Sequence, residues 1–212
     1  MNDIASIRKD YTLQTFDEKD VAAGPMQQFA TWFKAATESE ISEVNAMTLA
    51  TANSTGRPSA RIVLLKGFDE NGFVFFTNYN SRKAQALAEN PHASLVFFWK
   101  ELERQVRIEG SVKKTSVAQN ENYFNSRPVG SKIGAWASEQ SSIIESRRVI
   151  ENKAAELAKE FSGDNIECPP FWGGYLVVPE LMEFWQGRTN RLHDRIQYRL
   201  TNNYWKIERL SP

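Results

Sequence analysis

The sequence has few of the residues that mark a disulfide scaffold, a membrane span or a glycine-rich phosphate loop. Cys168 is the only cysteine in 212 residues, so no disulfide within the chain and no cysteine-based metal cage is expected. The longest unbroken apolar run, residues 95–99, is far shorter than the ~20 residues that cross a bilayer. No GxGxxG or Walker-type segment is present, so side chains must hold any bound phosphate. These absences predict a cytoplasmic protein with no membrane partner and no metal.

A surplus of charge of one sign is also missing. Lysine plus arginine and aspartate plus glutamate both number 26, so the formal net charge is zero. Nucleic-acid binders attract their partner with surplus positive charge, and the balance therefore predicts no nucleic-acid partner. A net charge does not show where the charges lie, so it does not exclude a local basic pocket. The 12% aromatic share favours a β-rich core over a set of ligand-stacking rings.

The order of predicted elements indicates an antiparallel β-barrel with helices added at its periphery, a mainly β chain of the α+β class. Strands are predicted at residues 47–51, 59–68, 73–77, 93–99, 105–113, 174–178, 181–185, 195–200 and 204–210. Helices are predicted from Pro25, at 81–89, at 116–137 with a break near Pro128, and at 146–161. Asn71-Gly72 between two apolar runs is a strong hairpin signal. No linker-like segment divides the chain, so we expect an N-terminal arm over 1–20 and a single domain over 21–212.

Three short segments concentrate basic residues beside predicted strand or helix ends. They contain Arg61 with Lys66, Arg82 with Lys83, and Arg191 with His193 and Arg195. On one strand, residues 61 and 66 would face opposite sides of the sheet. Residues 82 and 83 would add their charge to the positive end of a helix. Residues 191, 193 and 195 would share a face if that segment is extended. Each segment alone is more typical of a solvated surface, but together they indicate an anion site.

His193 is one of only two histidines, and a lone histidine more often has a structural than a catalytic role. Because Arg191 and Arg195 flank it, we expect its pKa to be lowered, which leaves a neutral imidazole near pH 7. A neutral imidazole accepts or relays a proton. His92 follows Pro91 in a predicted turn and has no such context.

Six blocks, in order, resemble the pyridoxine (pyridoxamine) 5′-phosphate oxidase family. The C-terminal block is Glu-Phe-Trp-Gln-Gly at 183–187 followed by Arg-Leu-His-Asp-Arg at 191–195. The others are 61–66, 77 with 81–83, 104–107, 123–128 with Ser131, and 137–142. The resemblance runs from about Arg8 to the C-terminus. It implies an FMN-binding split β-barrel of Greek-key type and a homodimer with two flavin sites between its subunits.

The resemblance also implies two sets of binding residues. FMN would be held by Arg61, Ile62, Val63, Leu64, Leu65, Lys66, Phe76, Thr77, Arg82, Lys83, Gln105, Gln140, Ser141, Trp185 and Arg195. Substrate would be held by Arg8, Lys9, Asp10, Tyr11, Lys66, Tyr123, Arg127, Ser131, Arg191, Leu192 and His193. Phe76 stands where many members carry Tyr, a change that a backbone contact to FMN would survive. Arg191 and His193 are the candidate catalytic pair, and the N-terminal arm would cover the site.

Some of these assignments also make physical sense from the residues themselves. Tyr123 and Arg127 are four positions apart, which places them on one face of a helix, and Ser131 would continue that face. The amides of Gln105 and Gln140 have donors and acceptors suited to the edge of a flavin ring. The resemblance further implies that seven cations converge on one positive pocket for two phosphates, namely Arg61, Lys66, Arg82, Lys83, Arg127, Arg191 and Arg195.

The implied reaction is oxidation of pyridoxine 5′-phosphate or pyridoxamine 5′-phosphate to pyridoxal 5′-phosphate, in vitamin B6 biosynthesis and salvage. A hydride would pass from C4′ to flavin N5, and O₂ would reoxidise the flavin to give H₂O₂. Two alternatives belong to other classes. The first is a flavin-dependent split-barrel enzyme with a different substrate. The second is a carrier that binds pyridoxal phosphate without catalysis.

Overall fold

The computed structural model describes residues 4–6, 10–161 and 166–212. Within them, five α-helices surround a nine-stranded sheet. The helices are α1 (Pro25–Glu38), α2 (Arg82–Glu89), α3 (Val117–Asn125), α4 (Val129–Ala137) and α5 (Arg147–Glu160). The strands are β1 (Ala46–Ala52), β2 (Pro58–Leu64), β3 (Gly67–Asp69), β4 (Gly72–Asn78), β5 (His92–Trp99), β6 (Arg104–Lys114), β7 (Trp172–Gln186), β8 (Asp194–Thr201) and β9 (Tyr204–Arg209). No helix in the described ranges is long and apolar enough to cross a membrane.

The long strand β7 divides the sheet into two wings. The strand order is β2-β1-β5-β6-β7-β4-β3, all antiparallel, with β8 and then β9 added beyond β7. The first half of β7 pairs with β4, from Trp172 to Val177, and the second half pairs with β8, from Leu181 to Gln186. One strand therefore belongs to both wings, which confirms the predicted antiparallel split barrel with peripheral helices.

Aromatic side chains fill the core, as the composition predicted. Phe29 of α1 is fully buried, and its ring centroid lies 4.8 Å from that of Phe73 and 5.1 Å from that of Phe97. Trp32, one helical turn further on, packs edge-on against Phe184 of β7 at 5.3 Å. Each of these rings removes about 150–250 Å² from water, so this cluster contributes much of the stabilisation that fixes α1 on the sheet.

The predicted strand over 59–68 is interrupted in the structure. β2 ends at Leu64, and β3 begins at Gly67. At the interruption the Leu65 amide donates to the Asn45 carbonyl at 2.8 Å, and the Lys66 amide donates to the Val74 carbonyl at 2.8 Å. The first bond leads to the residue before β1 and the second leads to β4, so the chain passes from one edge of the barrel to the other at this point.

The two strands predicted at 174–178 and 181–185 are one continuous strand, β7. Pro179, which suggested a boundary, lies where the β6–β7 register shifts between Glu109 and Gly110, a place where a missing N–H is tolerated. A Cβ at Gly110 would lie 1.9 Å from the Val178 carbonyl oxygen, so only glycine fits there. The local irregularity thus allows a single strand to connect both wings.

Candidate active site

A cavity of about 730 Å³ opens between β2, β4 and the α3–α4 pair. We call it the cation cavity. It is lined by Arg61, Ile62, Val63, Leu64, Lys66, Phe76, Thr77, Asn78, Lys83, Tyr123, Arg127, Pro128, Ser131, Gly134, Ala135, Ser138, Gln140 and Trp172. Four of these described lining residues are Arg or Lys, and none is Asp or Glu. The cavity therefore has a positive potential suited to anions.

At one end of the cavity, Lys83 is bound only to neutral groups among the described residues. Its Nζ donates to Thr77 Oγ1 at 3.0 Å, to Gln140 Oε1 at 2.8 Å and, more weakly, to Ser81 Oγ at 3.4 Å. Burial, together with the positive charge of Arg61, lowers the pKa of Lys83 to about 8. An anion bound here would raise that pKa again and stabilise the protonated ammonium.

Arg61 lies beside Lys83 and is held by the strands themselves. Its guanidinium donates to the Leu49 carbonyl at 3.1 Å, to Thr51 Oγ1 at 2.9 Å and to Ser59 Oγ at 2.6 Å. Burial and then the nearby charge of Arg82 lower its pKa. No carboxylate pairs with Arg61 in the described part of the chain, so two uncompensated cations define this end.

At the other end, Arg127 has a buried donor without a partner. Its guanidinium lies over Trp172, 4.7 Å from the ring centroid, and 5.5 Å from that of Phe124. Its Nη1 is the one buried side-chain nitrogen or oxygen of the described residues that has no hydrogen bond. Such a group costs about 1–3 kcal/mol, which an anionic acceptor would recover. Tyr123, Ser131 and Lys66 line the same cavity, and Lys66 Nζ lies 5.9 Å from the centroid of the Tyr123 ring.

Two details of the predicted geometry are wrong. Arg61 and Lys66 do not face opposite sides, because Lys66 lies beyond the end of β2, where strand alternation no longer applies, and both line the cavity. Arg127 is not on the helix of Tyr123, since α3 ends at Asn125. The turn before α4 nevertheless brings Arg127, Tyr123 and Ser131 to one cavity.

The other cofactor residues on this side lie in or next to the cavity. Ile62 and Leu64 line it and are exposed. Leu65 is buried in the core instead. Arg82 lies at the edge, where its backbone N–H donates to Ser141 Oγ at 3.2 Å. Phe76 forms a stack with Tyr123, 4.1 Å between centroids, so the missing hydroxyl leaves a ring that packs well.

A second group of predicted residues lies at the far end of β7, and we call it the turn cluster. It comprises Tyr11, Gln105, Trp185, Arg191, His193 and Arg195, and none of these lines the cation cavity. The His193 ring lies 4.6 Å from Trp185 and 5.9 Å from Tyr11. Gln105 is the strand partner of Trp185 across β6 and β7. Leu192, in the same turn, is exposed.

The segment that carries Arg191 and His193 is not extended, so the single face predicted for 191, 193 and 195 does not form. A short 3-10 turn spans Thr189–Arg191. Asn190 and Arg191 have φ angles of 55° and 60°, in the left-handed region. For residues other than glycine this conformation costs about 1–2 kcal/mol each, so contacts elsewhere must hold the turn.

His193 is held as a hydrogen-bond acceptor at one nitrogen. The Arg188 backbone N–H donates to His193 Nδ1 at 3.1 Å, so a neutral ring carries its proton on Nε2. Burial and then the charge of Arg191 lower the His193 pKa, against an opposing effect of Asp194. The predicted direction is confirmed, but Arg195 is not a cause.

The reason is that Arg195 is engaged elsewhere. Its Nε donates to Glu183 Oε1 at 2.8 Å, and Glu183 Oε2 accepts from Arg107 Nη1 at 3.1 Å. Glu183 is only 3% exposed, and its hydrogen bond with Arg195, together with its charge, raises the pKa of Arg195. Sequence reasoning missed Glu183 as a site residue, although an acid inside an apolar strand was a usable signal.

The predicted N-terminal substrate residues are only partly visible. Arg8 and Lys9 lie outside the described residues, and Asp10 is exposed. Beyond Tyr11, the amides of Thr12 and Leu13 donate to Glu103 Oε2 at 2.9 and 3.2 Å. These bonds hold the chain that follows Tyr11 against the turn cluster.

The cation cavity and the turn cluster are separated within one chain. Trp172 lines the cavity and Trp185 belongs to the turn cluster, and they lie thirteen positions apart on β7, up to about 40 Å of extended strand. The predicted convergence of seven cations therefore does not occur within a single chain. Four line the cavity, Arg82 lies at its edge, and Arg191 and Arg195 are at the other end.

Comparison with known proteins identifies the family. Residues 33–160 match the family model for pyridoxamine 5′-phosphate oxidase, and residues 172–212 match the pyridoxine 5′-phosphate oxidase C-terminal dimerisation region. The chain belongs to the pyridoxine/pyridoxamine 5′-phosphate oxidase family. A member from Paraburkholderia phymatum with that name is 58% identical over 100% of both chains. Another, from a Cyanothece species, is 57% identical over 99% of this chain and 98% of its own.

Solved structures agree on the fold. PhzG from Burkholderia lata, in complex with tetrahydrophenazine-1-carboxylic acid, is 30% identical with a TM-score of 0.90, over 96% of this chain and 100% of its own. An FMN-binding, pyridoxamine 5′-phosphate oxidase-related protein from Nostoc punctiforme is 18% identical with a TM-score of 0.71, over 89% of this chain and 98% of its own. The second likeness concerns the fold alone.

Membership of this oxidase family is consistent with the donors present. Within the described ranges, Arg127 Nη1 has no partner and the Lys83 ammonium has no counterion, which fits phosphorylated ligands. The amide of Gln140 is already aligned by Lys83. The turn cluster, except for Tyr11 and Gln105, falls within the matched dimerisation region. Trp172 was not among the predicted site residues, because only the pairing of β7 with β4 brings it to the cavity.

Proposed function

We propose that the protein is a homodimer that uses FMN to oxidise pyridoxine 5′-phosphate or pyridoxamine 5′-phosphate to pyridoxal 5′-phosphate. The observation that carries the proposal is the cation cavity, with uncompensated cations at both ends and no carboxylate among its described lining residues. One phosphate needs cations at only one end. Cations at both ends of one cavity favour two phosphorylated ligands lying side by side, a cofactor and a substrate.

The two ends differ in a way that supports separate assignments. Arg61 and Lys83, with Arg82 at the edge, surround the end beside the α2 N-terminus and would hold the FMN phosphate. Arg127, Tyr123 and Ser131 surround the other end and would hold the substrate phosphate. Lys66 would lie between the two phosphates.

The turn cluster would complete the site from the partner subunit. Gln105, Trp185 and Arg195 would then reach the flavin, while Arg191 and His193 would reach the pyridine ring of the substrate. Two features support this arrangement: the turn lies in the matched dimerisation region, and Ile62 is 65% exposed at the cavity. An exposed isoleucine on an edge strand is typical of a surface that another chain covers.

In the assembled site, each group of residues has one task. The cavity cations fix both phosphates, which places the substrate C4′ against the cofactor. Arg191 orients the pyridine ring, and the Nε2–H of His193 donates a hydrogen bond to it. Tyr11 and the chain after it exclude water. When bound, FMN would accept a hydride at N5 and would be reoxidised by O₂, which becomes H₂O₂ and takes up the proton that the substrate releases. With the amine substrate, water hydrolyses the resulting imine and releases ammonia.

The purified protein, reconstituted with FMN in air, tests this directly. We expect a yellow protein that forms pyridoxal 5′-phosphate and H₂O₂ in equal amounts from at least one of the two substrates. A yellow protein inert to both would favour a different flavin-dependent oxidation, an alternative supported by the likeness to PhzG. A colourless protein that binds pyridoxal phosphate would favour the carrier.

A further inference from the structure

The turn over residues 187–193 is strained. The residues that hold its base belong neither to the cation cavity nor to the turn cluster. Asn190 and Arg191 both have positive φ angles, and the turn has only one backbone hydrogen bond of its own that the structure records, from the Leu192 amide to the Thr189 carbonyl at 3.1 Å. A strained turn persists only where the surrounding structure fixes it. The residues that fix it therefore control where Arg191 and His193 lie.

Arg188 holds both ends of this turn. Its backbone N–H donates to His193 Nδ1 at 3.1 Å, and its side-chain Nη1 donates to Asp194 Oδ2 at 2.8 Å. The Asp194 side chain is only 12% exposed, so this ion pair is shielded from solvent more than an ordinary surface pair is. Arg188, near the start of the turn, is thus bound to its last residue, His193, and to Asp194 directly after it.

Asp194 is in turn anchored to two other parts of the molecule. Its Oδ2 also accepts from the Phe16 amide at 3.1 Å, and its Oδ1 accepts from Arg209 Nη1 at 3.1 Å. Burial alone would raise the pKa of Asp194, but the hydrogen bonds from Phe16, Arg188 and Arg209 outweigh it and hold the pKa below its usual value. The carboxylate is therefore charged at neutral pH and is a fixed point for Arg188.

We propose that Arg188 and Asp194 are positioning residues, which hold the strained turn so that Arg191 faces the substrate and His193 keeps its proton on Nε2. Only the expected change in KM rests on the proposed function. Its structural consequence, the hydrogen bond that fixes the His193 ring, is measured without turnover. A neutral His193 held in this way is a hydrogen-bond donor toward the substrate, and its other nitrogen is occupied by the Arg188 amide.

The second histidine provides an internal reference. His92 Nδ1 lies 2.9 Å from Asn90 Oδ1, an acceptor, so this ring carries its proton on Nδ1. The two histidines of the chain are thus expected in opposite tautomers. Their ring nitrogens are distinguishable by ¹⁵N NMR of the FMN-loaded protein at a pH where both are neutral.

The test compares Arg188→Met with Arg188→Lys, which keeps the charge. Arg147→Met is the matched control, because it removes an exposed arginine that pairs with Glu151 on α5 at 2.6 Å. Three quantities are measured: hydrogen-exchange protection of the residue 188 amide, the KM for pyridoxine 5′-phosphate, and FMN affinity. We expect Arg188→Met to lower protection about tenfold and to raise KM about tenfold, with FMN affinity unchanged. Arg188→Lys should recover most of both effects, and Arg147→Met should change neither.

Asp194→Asn is the second variant, since its amide oxygen can still accept from the Phe16 N–H while the carboxylate charge that pairs with Arg188 and Arg209 is lost. It should reproduce the Arg188→Met result. The proposal is overturned if wild-type His193 carries its proton on Nδ1, or if either variant folds with both protection and KM unchanged. If the wild-type enzyme does not oxidise B6 phosphates, the proposed function fails, and the exchange and ring measurements alone decide whether this pair holds the turn.

Discussion

The guanidinium of Arg127 lies over the indole of Trp172, 4.7 Å from the ring centroid, and its buried Nη1 has no hydrogen bond to any residue that the structure describes. Burial lowers the pKa of this arginine. A donor held in place by an aromatic face and left without an acceptor is poorly suited to stabilising the fold and well suited to binding a phosphate. Stability and function should therefore respond in opposite directions when it is removed.

We expect Arg127→Met to raise the KM for pyridoxine 5′-phosphate about 10- to 100-fold, because a charged hydrogen bond to phosphate contributes about 1.5–3 kcal/mol. The free energy of unfolding of the ligand-free protein should be unchanged or up to about 2 kcal/mol higher, since the unpaired donor is gone. FMN affinity should not change. Steady-state kinetics and denaturant unfolding measure the two effects, and a destabilised variant with a normal KM would contradict the assignment.

The affinity for FMN should depend on pH through Lys83, whose pKa in the free protein is about 8. A bound phosphate raises that pKa, so binding takes up a proton above pH 8 and none below it. The dissociation constant should be flat from pH 7 to about 8 and then rise, by at most about tenfold per pH unit.

Lys83→Arg is the control, because a guanidinium stays charged throughout this range. Its dissociation constant should show no step near pH 8, as measured by flavin fluorescence quenching. A wild-type profile without a step, or an identical step in Lys83→Arg, would mean that Lys83 does not contact the phosphate.

Glu183 positions Arg195, and its loss should affect both stability and flavin binding. Glu183→Gln leaves Arg107 and Arg195 without their shared buried carboxylate, which should lower the free energy of unfolding by about 1–3 kcal/mol. Since Arg195 loses its anchor, FMN affinity should fall as well. Glu109→Gln is the comparison, because it removes a half-exposed partner of Arg107 and leaves Arg195 bound. Equal FMN affinity in the two variants would contradict this role.

Local signals made much of the fold predictable. The Asn71-Gly72 turn, the apolar alternation of β6 and the Gly24-Pro25 start of α1 all depend on neighbours in sequence, and each appears where it was expected. The end of β2 was not predictable. It is fixed by the bond from Lys66 to Val74, a contact between strands that no local pattern records.

The site was predictable as a set of residue types and not as an arrangement. The blocks that resemble the family predicted Arg61, Lys83 and Arg127, and all three line the cation cavity. The arrangement depends on β7 continuing past Pro179, which separates Trp172 from Trp185. The Arg188–Asp194 pair depends on how a turn closes, and sequence spacing alone does not encode that.

In the homodimer that we propose, each active site combines the cation cavity of one subunit with the turn cluster of the other. Arg127→Met and Arg191→Met chains, co-expressed with different tags and purified as the mixed dimer, would place both changes in one site and leave the other intact. The matched control is a mixed dimer of wild-type chain with an Arg127→Met/Arg191→Met chain, in which each site carries one change.

The rate of pyridoxal 5′-phosphate formation by these two mixed dimers shows directly which chains contribute to each site. At a substrate concentration well below the wild-type KM, we expect about half of wild-type activity for the dimer of the two single variants and no more than about a tenth for the control dimer. The reverse result, a nearly inactive dimer of single variants and a half-active control, would place both groups of residues of each site on the same chain and rule out a site shared between subunits.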